Sequence, residues 1–587
     1  MPLAILFLAL PLLLALPAAA APVEDARNTR VVTTDTHFRM PDYGTLERWE
    51  RRKRELRERI LFTAGLDPMP ARGPVRAEVF GRLDRDGYSI EKVLLETMPG
   101  YYLGGNLYRP RGAGAKFPAI VTPHGHWVYG RLEHSDTGSI PARAINLARQ
   151  GFVVFAYDMV GYNDTIQTPH DFAGKQEQLW NFGPLGLQLW NSLRAVDWIA
   201  TLPDVDPARI GATGASGGGT QTFLLAAVDE RIQYAAPVNM ISAIMQGGSP
   251  CENMPGLRVG AFNVEYGAMM APRPMLMVSA TGDWTRNTLE EEYPAVKGIY
   301  SLYGKADSVT AVRIDAPHNY NKDSREAVYR FFAKQAQKDP GAADRKEKSV
   351  RVEKLQDMLA LHNHPLPPGA LSYDALFAQW RSNAREQVNA IADKAERRRL
   401  LGLALGTVWP EKVEDREENG RRILSRPGAG DAVPALWKAG KGAPLLVVHP
   451  DGATAAMNSS EARQAIAGGR PVLAIDAFQT GSAKAPRDRS HRHFTTFQRT
   501  DDAERAQDIV TAMAWLRAAA PGEPEVIGLG DASIWVRFAA AVAPGKIKLS
   551  GPSSAGFAAT DDELIAKFFV PGIQRAGGWA SALLLTE

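Results

Sequence analysis

The chain has one cysteine, Cys251, so no intrachain disulfide can form and a zinc site built on several cysteines is excluded. Neither sign of charge prevails. Lys and Arg number 68 against 65 Asp and Glu, a formal net charge of +3. No basic stripe points to nucleic acid and no acidic run points to a solvating tail. After the N-terminal segment, no apolar run is long enough to cross a membrane, which takes about 20 residues. What remains is ordinary globular composition over 587 residues, 45% hydrophobic and 23% charged, with 53 Gly and 40 Pro. Wholesale disorder, collagen and coiled coil are excluded, and the length suffices for two or more domains with cores of their own.

The first residues set the next bound. Residues 3–16 are apolar, with one proline among them, and are followed by Pro17-Ala18-Ala19-Ala20-Ala21-Pro22. The first charged side chain is Glu24. A short apolar core before small residues predicts a secretory signal peptide over 1–21 and a secreted or periplasmic protein. No cysteine follows the run, which excludes a lipoprotein anchor.

Residues 43–66 read as an amphipathic helix with apolar Leu46, Trp49, Leu56, Ile60 and Leu61, part of an N-terminal helical extension over 22–75. Strands at 88–96, 102–108, 119–122 and 153–157 come next. Helices at 189–201 and 221–227 then alternate with strands at 210–212, 234–237, 275–279 and 309–314. This predicts an α/β domain with a mostly parallel central sheet over 76–335. Residues 336–435 are polar and read as a helical linker. A second α/β pattern over 436–587 echoes the first: "PAIVTPHGHW" (118–127) with "PLLVVHPDGA" (444–453), and "GFVVFAYDMVGYNDT" (151–165) with "GRPVLAIDAFQTGSA" (469–483). Two further segments match in the same order, which predicts an internal duplication whose second copy is truncated and degenerate.

The motif that carries chemistry is Gly214-Ala215-Ser216-Gly217-Gly218, set between the strand "RIGAT" and the apolar helix "GTQTFLLAAV". Strand, tight turn, serine and helix form a nucleophile elbow, in which glycines permit a strained backbone and the hydroxyl projects at the strand's C-terminal end. A serine needs a base and the base an orienting acid. "PRPMLMVSATGDW" ends a strand at Asp283 and "VTAVRIDAPHNYN" ends the next at His318. The order Ser216, Asp283, His318 is that of an α/β-hydrolase. Asp307 and Glu290 to Glu292 are competing acids. The oxyanion hole takes the N–H of Gly217 and a second N–H from "TPHGHW", His126 first and Trp127 next. His124 and His126 flank a glycine with His134 nearby, but no third ligand has convincing spacing, so no metal is expected and no cofactor is required.

Three segments, "GATGASGGGTQTFLLAAVDERI" (211–232), "SATGDWTRNTLEEEYPAVKGIYSLYG" (279–304) and "APHNYNKDSREAVYRFF" (316–332), resemble the secreted acetyl xylan esterase-like branch of the α/β-hydrolases, which is similar to dienelactone hydrolases and carbohydrate esterases. The resemblance covers roughly residues 75–335. It implies hydrolysis of a carbohydrate ester, acetyl xylan first, through Ser216, Asp283, His318 and Gly217. "HGH" departs from the aromatic often found just after the glycine in xylan deacetylases.

In the second copy Ser533 aligns with Ser216, but Ile534 and Trp535 replace two elbow glycines and no equivalent of Asp283 or His318 follows, so this copy is expected to be catalytically dead. The polar and aromatic stretch 162–190 reads as an insertion over the site. Trp127, Trp180 and Trp284 are candidates to stack on sugar rings, as is Tyr129, with Arg286 a further substrate contact. A glucuronoyl-type esterase would use the same triad with Arg258 or Arg286 as the cation for a sugar carboxylate. Cys251 has no partner pattern and reads as structural. A glycan-binding protein with two inactive copies is the reading from another class, and a prolyl-oligopeptidase-type peptidase is disfavoured because no propeller-like repeats precede the domain.

Overall fold

The computed structural model describes residues 24–112, 116–545, 547–550 and 556–587, so the segment read as a signal peptide lies outside the described residues. The first sheet has nine strands: β1 (Arg76–Arg85), β2 (Tyr88–Met98), β3 (Tyr101–Pro110), β4 (Phe117–Pro123), β5 (Val153–Tyr157), β6 (Val205–Ala215), β7 (Ile232–Val238), β8 (Met275–Gly282) and β9 (Val309–Pro317). Their spatial order is β1-β2-β3-β5-β4-β6-β7-β8-β9. The first three strands form an antiparallel meander, β3 meets β5 antiparallel, and every pairing from β5 to β9 is parallel. The central strands β4 and β5 are buried almost throughout because helices cover both faces.

The helices that matter to the site are α1 (Leu46–Thr63), α2 (Ile140–Arg149), α3 (Pro184–Ile199), α4 (Gly217–Val228), α5 (Tyr373–Asn389), α6 (Lys394–Leu405), α7 (Asp501–Ala519) and α8 (Ala532–Val542). Thr45 caps α1 by accepting from Arg48 N–H, and Trp49, Leu56 and Ile60 make its buried stripe, as the heptad-like spacing requires. With α3 and α4 it covers one face of the sheet, while α2 and the helix Lys322–Phe332 cover the other through Ile145, Leu147, Val328 and Phe332. Helix α4 is buried on every side, which explains why its sequence shows no amphipathic pattern.

The second sheet has seven strands: β10 (Glu414–Glu418), β11 (Arg421–Ser425), β12 (Val433–Lys438), β13 (Leu445–Val448), β14 (Val472–Ile475), β15 (Glu525–Gly528) and β16 (Lys548–Ser550). Its order, β10-β11-β12-β14-β13-β15-β16, repeats the first seven strands of the first sheet position for position. The pairing directions repeat as well: antiparallel up to the β12–β14 junction, parallel beyond it. Only counterparts of β8 and β9 are missing among the described residues.

Residues 336–435 are not the helical linker that their polarity predicts. Helices α5 and α6 lie there, yet β10, β11 and the start of β12 also fall inside this stretch and belong to the second sheet. Strand β10, "EDREE", is almost wholly exposed at the sheet edge, so its residues carry no apolar alternation to mark a strand. Nor is the stretch a loose tether. Leu376, Trp380, Leu400 and Leu401 enter the same buried cluster as Trp49 and Leu193 of the first unit and Ile509, Met513 and Trp535 of the second. The two sheets therefore share one continuous apolar core.

Polar seams reinforce it. Gly256 N–H and Arg258 N–H donate to Thr495 O and Thr496 O at 2.8 and 2.9 Å, and Gly572 N–H donates to Gln178 O at 2.8 Å. Arg27, nearly buried, donates to Asp508 Oδ1 at 2.6 Å and to Glu504 Oε2 at 3.2 Å on α7. A cavity of about 540 Å³ lies at the seam between α1, residues 402–408 and residues 495–500, and none of Ser216, Asp283 or His318 lines it. Among the described residues no helix is long and apolar enough to cross a membrane.

Arg27→Ala leaves the buried Asp508 carboxylate without its cation and is expected to cost on the order of 3–5 kcal/mol. Thermal unfolding should show a lowered midpoint, with the exposed Arg30→Ala as a control within about 0.5 kcal/mol of the parent. Equal midpoints for the two variants would contradict this role.

Candidate active site

Strands β4, β6, β8 and β9 run parallel, so the loops after Pro123, Ala215, Gly282 and Pro317 all leave one edge of the sheet. That edge gathers His126, Ser216, Asp283 and His318.

Ser216 stands between β6 and α4 with φ 58° and ψ −125°, a conformation that costs a non-glycine residue on the order of 1–3 kcal/mol. Ser216 N–H donates to Val238 O at 3.1 Å and Thr220 N–H to Ser216 O at 2.9 Å, which holds the strained residue from both sides. The surrounding glycines answer to space. A Cβ on Gly214 would lie 2.4 Å from Pro123 O, and one on Gly218 would lie 2.5 Å from the same atom. A Cβ on Gly125 would lie 3.1 Å from Ser216 Cβ, so the loop after β4 runs against the elbow backbone to backbone.

His318 Nδ1 lies 2.9 Å from Asp283 Oδ2. A carboxylate only accepts, so Nδ1 carries the proton and Nε2 is left with its lone pair. The other oxygen, Asp283 Oδ1, accepts from Thr285 N–H at 2.7 Å and from Thr285 Oγ1 at 2.5 Å, which fixes the carboxylate plane. Asp283 is buried, and the His318 side chain is 28% exposed. Among the described residues no hydrogen bond joins Ser216 Oγ to His318. Trp284 backs the imidazole with ring centroids 4.4 Å apart and anchors itself by donating Nε1–H to Asn239 O at 3.1 Å.

The competing acids are elsewhere. Asp307 precedes β9 while His318 follows it, so the whole strand separates them. Glu290 pairs with Arg313, Glu291 with His37, and Glu292 accepts from Ala243 N–H at 2.8 Å.

On the loop after β4, Trp127 N–H donates to Gly125 O at 2.9 Å and is thereby occupied. The N–H groups of His126 and Gly217 have no acceptor among the described residues. His124 is wholly buried: Nδ1–H donates to Gly125 O at 2.6 Å and Nε2 accepts from Met159 N–H at 2.9 Å. Burial pushes its pKa down to about 3, so the neutral ring serves as a brace for the loop. His126 is also pushed down, to about 4, first by burial and then by the neighbouring His170 and His318. Its Nε2 lies 3.1 Å from His170 Nε2 and 3.0 Å from Cys251 Sγ. His134 is exposed and bonds Ser139 Oγ at 2.7 Å, away from this cluster.

The aromatic candidates divide. Trp180 is 2% exposed, donates Nε1–H to Asp561 Oδ2 at 2.9 Å and lies under Arg385, so it is an anchor between the insertion and the second unit and not a sugar platform. The reason is the cluster Phe172, Phe182, Tyr373, Phe377 and Trp380, in which α5 covers the insertion. Trp127 is half-buried against Gly138, and Tyr129 is exposed. Arg258 is fully buried with its donors spent on Glu252 O, Asn253 Oδ1 and Asn263 Oδ1, which removes it as a carboxylate receptor. Arg286 is exposed beside Asp283. Sequence reasoning missed Thr285 and the stacking role of Trp284. It also missed His170 and Cys251 as neighbours of His126, since nothing in their spacing brings residues 126, 170 and 251 together.

In the second copy the turn after β15 carries its left-handed residue at Gly530, φ 54°, and Ser533 lies inside α8 with Oγ donating to Gly530 O at 2.8 Å. Ser533 is therefore not the structural counterpart of Ser216. The alignment drifts because the second turn differs in length.

The model of the dienelactone hydrolase family matches residues 103–239, from β3 through the elbow to β7. The chain is 26% identical over 304 residues to YtaP of Bacillus subtilis (strain 168), a protein given the name of a hydrolase, covering 47% of this chain and 98% of that one. It is 27% identical over 155 residues to the polyketide transferase claH of Penicillium crustosum, covering 26% of this chain and 45% of that one. Among solved structures it is similar to the methylesterase BT1017, with 30% identity, a TM-score of 0.50, and coverage of 60% of this chain and 78% of that one. The elbow on its parallel sheet, the family match over residues 103–239 and these likenesses agree: the chain has the α/β-hydrolase fold, its segment from β3 to β7 is similar to dienelactone hydrolases, and it is a hydrolase.

Proposed function

We propose that the protein is a secreted or periplasmic serine carboxylesterase acting on a carbohydrate ester, with Ser216 as nucleophile, His318 as general base and acid, and Asp283 as the orienting acid. The contact of His318 Nδ1 with Asp283 Oδ2, on the sheet edge that also carries the strained Ser216, supports this reading most. His318 Nε2 takes the Ser216 proton as Oγ attacks the ester carbonyl. The oxyanion is held by the N–H groups of Gly217 and His126. His318 then gives its proton to the leaving alkoxide, and an acyl-serine remains. Water, deprotonated by the same nitrogen, attacks the acyl carbon and releases the acid and free Ser216. No step calls on a further group. The second unit supplies packing for the insertion over the site and takes no part in the chemistry.

The sequence resemblance favours an acetyl ester, whose acyl part is small and whose leaving alcohol is the sugar. A second reading reverses the polarity: the acyl part is a sugar acid and the leaving alcohol is small. The likeness to a protein named methylesterase favours it, and Arg286, exposed beside Asp283, offers a cation for a sugar carboxylate. The product separates the two. Acetylated xylan releasing acetate supports the first, and methyl-esterified glucuronate or galacturonan releasing methanol supports the second. Ser216→Ala should abolish either. Turnover that survives in Ser216→Ala would refute the serine mechanism altogether.

Asp283→Asn favours the wrong imidazole tautomer and should lower kcat by about 10⁴-fold, whereas Asp307→Asn should leave it unchanged. Steady-state kinetics on p-nitrophenyl acetate decide between them. Gly218→Ala tests the support of the elbow, because its Cβ meets only backbone at 2.5 to 2.8 Å. It should cost roughly 1–3 kcal/mol and most of the turnover through displacement of the 123–126 loop. Gly298→Ala, with nothing within 4 Å, should be neutral or slightly stabilising.

A further inference from the structure

We propose that His126, His170 and Cys251 form a binding site for a zinc-class divalent transition metal ion beside the elbow. His126 Nε2 lies 3.1 Å from His170 Nε2 and 3.0 Å from Cys251 Sγ, and the three donor atoms all fall within 4.8 Å of one another. Zinc sits about 2.0–2.1 Å from nitrogen and about 2.3 Å from sulfur, so tetrahedral ligands around it are roughly 3.3–3.7 Å apart. The two separations from His126 Nε2 reach that size by opening a few tenths of an ångström.

The second observation is orientation. His170 Nδ1–H donates to Val160 O at 2.6 Å, which fixes the tautomer and turns the Nε2 lone pair toward the cluster. A ring nitrogen pinned by a backbone carbonyl is the usual support of a ligating histidine. Hydrogen bonding alone accounts for the cluster poorly. His126 Nε2 has two heavy atoms within 3.1 Å, and a single ring N–H can point at only one of them. The donor set of two imidazoles and one thiolate selects zinc or a similar borderline-soft ion over calcium or magnesium. Binding releases the Cys251 proton and leaves the ion a fourth position for water.

The three ligands come from three separate segments: the loop after β4, the insertion over the site, and the turn Pro250–Glu252. An ion there clips these segments together and fixes the loop that carries the His126 N–H. This departs from the expectation that no metal is bound, which weighed His124 and His134 as partners. His124 is spent on Gly125 O and Met159 N–H, and His134 lies apart at Ser139. The inference does not depend on the ester reading.

The test uses the untagged full chain. After dialysis against a chelator it is loaded with Zn²⁺ or Co²⁺, passed through gel filtration and analysed for metal. One ion per chain is expected, and the cobalt form should show thiolate-to-metal charge transfer in the near ultraviolet. Cys251→Ser should remove that band and His170→Gln should weaken binding at least tenfold, while His134→Gln changes neither. Should either variant fail to fold, the parent decides alone: substoichiometric metal, or a cobalt form without the charge-transfer band, overturns the site. Unchanged metal content and spectrum in folded Cys251→Ser would overturn it equally.

Discussion

The site hangs on one strained residue. Ser216 holds a left-handed φ that its side chain disfavours, and the fold keeps it there by denying it room to relax. Its N–H is taken by β7, its carbonyl by the first turn of α4, and Gly125, Gly214 and Gly218 let the neighbouring backbone close in. The close approach of Gly125 sets the position of the following residue, His126, and the buried ring of His124 ties that loop to Met159 N–H. The loop after β4 is thus located by the same contacts that hold the strain. A cost of a few kcal/mol at the elbow is tolerable because α4 is buried on all sides and brings a large apolar return.

The second unit shows what that arrangement requires by having lost it. Its sheet repeats seven strands in the same order, yet its turn after β15 places glycine at the left-handed position and puts serine into the helix. With glycine there the turn holds no comparable strain, and no hydroxyl projects at the strand end. The counterparts of β8 and β9, which deliver Asp283 and His318 in the first unit, are also missing among the described residues. What the second unit retains is an apolar surface. Through Asp561 and residues 572–575 it presses, beside α5, on the insertion that lies over the first unit's sheet edge.

The parts of this that were legible in the sequence are those fixed by local pattern. The elbow announces itself because strand, glycines and helix are contiguous, and Asp283 and His318 follow apolar strands whose ends are plain. The duplication was readable for the same reason, since buried parallel strands are short uninterrupted apolar runs. Legibility failed where tertiary contact sets the outcome. Trp180 looked like a sugar platform because an exposed and a buried tryptophan have the same letter, and only α5, about 200 residues later, covers it. Strand β10 looked helical because its residues are charged and face water at an edge. His170 and Cys251 carried no signal, being 44 and 125 residues from His126.

One pair of residues separates the structural from the catalytic demands on the fold. Asp158 follows β5 and Asp476 follows β14, the equivalent strands, and both are buried. Asp158 N–H donates to Gly104 O at 2.9 Å and Asp476 N–H to Pro434 O at 2.7 Å, so each aspartate stitches its strand to the antiparallel neighbour at the same place. Their side chains then do similar work with different partners: Asp158 accepts from Arg131 and from Asn163 Nδ2, and Asp476 from Arg421, Ser482 Oγ and Ala453 N–H. Removing either would leave buried donors and a buried arginine or backbone N–H without an acceptor, a loss that both copies would feel alike. Nothing of that kind protects a nucleophile. A glycine at the left-handed position relieves the backbone, so the buried aspartate answers to the fold in both units while the strained serine at the turn answers to it in neither.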